Sequence, residues 1–185
     1  MEQWKKVIIP IVLLFFSLLL DGLIVSLFYE QLSVSFGFMS PRLLVLVVII
    51  LAFYLEPRHM YTLTLVFGFI YDSYFSGILG IYMAGLTLVA YFVIQLRRIF
   101  DANVLIMILM SVIMLTFLEF FVFGVHKGID LTALTTQEFL ATRLSASLLF
   151  NTISAIVLVF PIKQAIQLIQ SKNKEKSDKS RITYR

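Results

Sequence analysis

Residues Val7–Tyr29 read VIIPIVLLFFSLLLDGLIVSLFY, an apolar run broken by a single charge, Asp21. It exceeds the roughly 20 residues that a helix needs to cross the hydrocarbon of a bilayer. Lys5 and Lys6 stand before it, as in a secretory signal. The run is too long for the apolar region of a signal, and no A-x-A-like cleavage site follows, so an uncleaved first spanning helix is expected.

Runs of this kind recur along the 185 residues, of which 60% are hydrophobic and only 14% charged, with 18 Phe and 8 Tyr. A soluble domain of this size needs more charge to cover its surface, so lipid is the natural solvent. Six spans use about 120 residues and leave only short connectors, with no room for a soluble catalytic domain. The absence of cysteine excludes disulfides and thiolate chemistry.

An all-α polytopic membrane protein follows, with six spanning helices over about 7–29, 36–55, 57–75, 77–96, 102–125 and 138–162. Ser40-Pro41 reads as an N-cap and first-turn proline for the second helix. A start there leaves the helix at only about 24 Å, so a start near Phe36 with a bend at Pro41 is the alternative. Glu56-Pro57 closes helix two and opens helix three, because helical geometry is disfavoured before proline. Thr135-x-x-Glu138 has capping-box spacing at the start of helix six, which runs to about Ile162 or further past Pro161 along the membrane surface. Segment 171–185 is polar, lacks periodicity and is expected to be a disordered basic tail.

Orientation follows from the basic residues. The N-terminus, the 2–3 and 4–5 connectors and the C-terminal region hold Lys5, Lys6, Arg58, Arg97, Arg98, Lys163, Lys172, Lys174, Lys176, Lys179, Arg181 and Arg185, twelve of fifteen. The other side keeps Arg42, Lys127 and Arg143. Both termini are therefore expected in the cytoplasm, which also requires an even number of spans.

Charge inside hydrocarbon is costly and usually faces a partner or a cavity. Asp21, Asp72, Glu119 and Arg143 fall at similar depth in the outer half, on four different helices. They either form a polar site, with Arg143 paired to at least one of the acids, or snorkel to the headgroups, or make fixed structural pairs. Gly77, Gly80 and Ala84 recur at i, i+3 and i+7, a stripe that lets a neighbouring helix approach, and Gly68 does the same in helix three. The almost absent loop at Ser76-Gly77 makes helices three and four a hairpin with Asp72 near its tip. That hairpin is either a contact site for a partner or internal packing.

The pattern G-x-x-x-D-x-x-x-x-G-x-x-G at Gly68, Asp72, Gly77 and Gly80, followed by Leu86-Thr-Leu-Val-Ala-Tyr91, resembles the rod-shape-determining MreD family, over roughly Lys5–Gln170. The resemblance implies a scaffold of the cell-wall elongation machinery in the bacterial cytoplasmic membrane. It implies association with the single-span partner MreC and, through it, a peptidoglycan transpeptidase and its polymerase. It also implies a fold similar to the S components of ECF vitamin transporters. The lysine-rich tail departs from the family pattern. Six basic and two acidic residues between Ser171 and Arg185 give it +4, the formal charge of the whole chain. Lys172, Lys174, Lys176, Lys179 and Arg181 suit an anionic lipid surface, the MreB filament being the other candidate partner. Nucleic acid would need a folded platform beside these charges.

Two other classes compete. Catalysis has little to stand on: Tyr71-Asp72 lacks the G-x-G-D partner of intramembrane aspartyl proteases. Neither His59 nor His126 lies in mid-helix as a rhomboid-like serine protease requires, and two distant histidines without cysteine make no zinc site. No cofactor is expected. An S component of a vitamin transporter is the stronger rival. Such proteins dock on their energising partner through an alanine-spaced stripe on helix one, and Val7–Tyr29 contains no alanine.

Overall fold

The structure, a computed structural model, describes the backbone of residues 3–35 and 37–183 and the side chains of residues 7–35 and 37–166. The chain is mostly helical. In order it forms α1 (Gln3–Leu27), α2 (Tyr29–Leu32), β1 (Ser33–Val34), β2 (Gly37–Phe38), α3 (Leu43–Ala52) and α4 (Pro57–Tyr71). A π-helical turn π1 (Asp72–Ser76), α5 (Ile81–Leu96), α6 (Val104–Gly128), α7 (Thr136–Glu138), a second π-helical turn π2 (Phe139–Leu144) and α8 (Ser145–Thr183) complete it.

Three segments, Val7–Leu27, Val104–Gly128 and Thr136–Ile166, are long and apolar enough to cross a membrane. Leu43–Ala52 and Ile81–Leu96 are shorter apolar helices. The organisation is set by α3. At 1.5 Å per residue it measures about 15 Å, half the hydrocarbon thickness. All ten of its residues are buried, and α1, α5, α6 and α8 pack around it. A helix apolar on every side belongs in a core.

The expected second helix over 36–55 is therefore corrected at its start. Gly37–Phe38 pairs antiparallel with Ser33–Val34 as a minimal hairpin, and helix begins only at Leu43, with Arg42 and not Ser40 at the N-cap. Gly37 shows why. A Cβ there would stand 1.6 Å from the Thr142 carbonyl oxygen, so the hairpin is pressed onto the backbone of π2.

The glycine stripe is also corrected. Gly77 and Gly80 have φ of +71° and +105° and turn the chain between π1 and α5. A Cβ on either would meet nothing within 4 Å, and Ala84 is exposed. Their requirement is conformational, since only glycine adopts such φ freely. Close packing comes instead from Gly68, where a Cβ would lie 2.5 Å from Met83 Cα. Gly85 does the same against α6, where one would lie 2.6 Å from Leu118 Cδ1. The capping box is present, with Thr135 Oγ1 accepting from Glu138 N–H and Glu138 Oε2 from Thr135 N–H. The backbone of α8 stays helical to Thr183, past the boundary expected near 162 and into the segment expected to lack order. Its Gln, Lys and Glu residues favour helix.

Candidate functional site

α3 begins and ends inside the bundle, so its free backbone groups need partners from elsewhere. At its start the Leu43 and Leu44 N–H groups donate to Asp21 Oδ1 and Oδ2 at 2.7 and 3.0 Å. The Arg42 N–H donates to Asn151 Oδ1 at 2.8 Å. Asn151 Nδ2 in turn donates to the Ser40 carbonyl at 2.8 Å, tying α8 to the same corner. At the far end Arg97 Nη1 donates to the carbonyls of Ala52 and Leu55 at 2.6 and 2.7 Å. Acid at the N-terminus and base at the C-terminus both complement the helix dipole.

Asp72 plays the equivalent part for α5. It is fully buried, and its carboxylate accepts from the N–H groups of Gly80, Tyr82 and Met83 at 2.9, 2.9 and 3.0 Å. The two turn glycines bring the start of α5 back onto it.

Arg42 is the residue that sequence reasoning missed. Counted as an outer connector base, it is only 6% exposed, and its Nε donates to Glu119 Oε1 at 2.8 Å. Its Nη1 donates to the Tyr71 hydroxyl, and its guanidinium carbon lies 5.2 Å from the centroid of the Tyr82 ring, within cation–π range. A carboxylate buried as deeply as Glu119 needs such a partner. Arg143 Nε stands farther off, 3.9 Å from Glu119 Oε2, with its side chain 46% exposed. The four charges singled out from the sequence thus divide. Glu119 and Arg143 meet around Arg42, Asp21 joins them through the first turn of α3, and Asp72 turns into its own hairpin.

A cavity of about 390 Å³ opens among these groups, lined by Asp21, Arg42, Tyr71, Tyr82, His126 and Arg143 with apolar residues between them. Asp72 does not line it. The His126 Nδ1–H donates to the Val122 carbonyl, 2.7 Å away, which fixes the ring. A separate apolar groove of about 450 Å³ runs between α1 and α4, walled by Val7, Ile11, Phe15, Val66, Phe67 and Ile70. At the start of α7 the Thr135 N–H and hydroxyl both donate to the Glu138 carboxylate, at 2.8 Å each.

Residues 3–169 match the family described as MreD, rod shape-determining protein. The chain belongs to the MreD family. It is 30% identical to the rod shape-determining protein MreD of Bacillus subtilis (strain 168) over 125 residues, covering 68% of this chain and 73% of that protein. No solved structure gives a significant match. MreD membership implies a part in rod-shape determination and a place among membrane proteins, a structural rather than a catalytic role. It lends no support to the vitamin-transporter alternative. The spacing of Gly68, Asp72, Gly77 and Gly80 drew the eye to the hairpin; Arg42 carried a weaker signal, a base set directly against an apolar run of thirteen residues, Leu43–Leu55.

Proposed function

We propose that the protein is a non-catalytic scaffold subunit of the cell-wall elongation complex in the bacterial cytoplasmic membrane. It crosses the bilayer six times with both termini in the cytoplasm and holds the single helix of MreC. Through MreC it keeps a peptidoglycan transpeptidase and polymerase over one zone of membrane. The arrangement of Lys and Arg supports the orientation, with the Asp21–Arg42 end outward. The basic tail, Lys172 to Arg181, is a membrane-surface anchor in this reading.

The observation that carries the docking part is the apolar groove between α1 and α4. In a bilayer, helices associate through van der Waals contact and close packing, with no hydrophobic drive to help. A groove walled by Val7, Ile11, Phe15 and Val66 offers that contact along about two turns of α1. The hairpin glycines are less suited, because Gly68 is already closed by Met83 and Gly77 and Gly80 serve the turn. Val66→Trp and Phe15→Trp, which fill the groove from either wall, are expected to abolish co-purification of MreC from solubilised membranes with thermal unfolding unchanged. Undiminished co-purification of MreC with both variants would move the contact to another face.

A further inference from the structure

The polar cavity lies apart from the groove and takes no part in the docking proposed above. The carboxylates around it are spent while its guanidinium donors are not. Both oxygens of Asp21 are taken by the Leu43 and Leu44 amides, and the helix dipole of α3 offsets its charge. Glu119 receives Arg42 Nε on one oxygen and faces Arg143 with the other. One carboxylate, that of Glu119, therefore answers two guanidinium groups.

The donors remain available. Arg42 uses Nε and Nη1, and among the described residues its Nη2 has no protein acceptor. The Tyr82 hydroxyl has none either. No sealed polar side-chain atom among the described residues lacks a partner, so both groups open onto the cavity that Arg42 and Tyr82 line. The half-exposed guanidinium of Arg143 lines it as well.

We propose that this cavity binds a phosphate-bearing anion, presented as a phospholipid headgroup or as a free phosphate ester. Arginine forks match phosphate oxygens, and a guanidinium held in place by other contacts loses little freedom on binding. Arg42 is such a group, fixed by Glu119 and by the faces of Tyr71 and Tyr82. The cavity volume falls in the range of about 300–1,000 Å³ typical of small-ligand sites. Val25, Phe38 and Phe75 supply apolar wall beside the donors, suited to the glycerol and first methylenes of a lipid.

The test titrates the purified full chain in dodecyl maltoside with dioctanoyl phosphatidylglycerol, with glycerol 3-phosphate and with phosphate-free dioctanoylglycerol, following bound mass by native mass spectrometry. One phosphatidylglycerol per chain is expected, weakened about tenfold by Arg143→Gln and largely kept by Arg143→Lys. Dioctanoylglycerol is expected not to compete. Glycerol 3-phosphate binding as tightly as the lipid identifies the source as a free ester, and binding of the lipid alone identifies a headgroup. Ser26→Trp, which fills the cavity from α1, is a second variant independent of the charge and is expected to abolish binding. Equal binding of dioctanoylglycerol, no binding of either phosphate compound, or undiminished binding in both Arg143→Gln and Ser26→Trp would overturn the proposal.

Discussion

α1 and α3 look alike as sequence, each apolar on every side, yet they are covered by different materials. α3 buries all ten of its residues against protein. Among its described residues α1 fully buries Pro10, Leu14, Ser17, Leu18 and Asp21, and leaves Val12 56% and Phe16 60% exposed to what surrounds the bundle. Hydropathy reports that a segment avoids water. It does not report whether lipid or protein replaces the water. The difference appears at the polar groups. α3 has backbone ends in the interior and needs Asp21 and Arg97 brought to it, whereas α1 supplies one of those groups and needs neither.

The comparison breaks most severely at the residue the two helices share. Asp21→Leu strands two buried N–H groups, and charged hydrogen bonds of about 1.5–3 kcal/mol each put the loss at about 3–6 kcal/mol. Chemical unfolding in detergent measures it, and a loss below about 1 kcal/mol would mean that α3 does not depend on α1. Next, Leu46→Ala in α3 is expected to cost about 2–5 kcal/mol for the cavity it leaves. At the other end of α3, Arg97→Gln removes a donor from two carbonyls in a partly solvated setting and should cost about 1–2 kcal/mol. Phe16→Ala in α1, equally apolar, should change stability by less than about 0.5 kcal/mol, since it packs on no core. A Phe16 effect as large as that of Leu46 would erase the distinction.

The smallest effect contrasts a buried cap with an exposed one. Asp21 caps α3 in the interior, while the Thr135–Glu138 capping box starts α7 at the exposed surface of the bundle. Thr135→Val removes the hydroxyl acceptor of the Glu138 N–H, and hydrogen exchange of that amide should accelerate relative to neighbouring amides.

How much of this was legible from residues alone differs along the chain. The long apolar segments, the break at Glu56-Pro57 and the Thr135–Glu138 cap are local, and each could be read from its own neighbourhood. Asp21, Asp72 and Glu119 stood out because charge is rare in such surroundings, but their partners are backbone amides and Arg42, many residues away. Arg42 was masked by its place beside a connector, where a base ordinarily reports orientation. Asn151 escaped because it is polar without charge. Gly77 and Gly80 were misread since a three-residue interval suits a helical face and a tight turn alike; the sign of φ, which composition does not carry, separates them. The start of the second helix was lost for the same kind of reason, as Gly37 yields to the backbone of π2 at 142.

The dependence of α3 on Arg97 has a consequence for biogenesis. Arg97 is polymerised 45 residues after Ala52, so when α3 leaves the ribosome the guanidinium that closes its lower end does not yet exist. A helix only half a bilayer long, with open carbonyls, cannot settle among acyl chains by itself. Its lower end can close only once α5 has been made, so a chain interrupted before Arg97 leaves the Ala52 and Leu55 carbonyls without that donor.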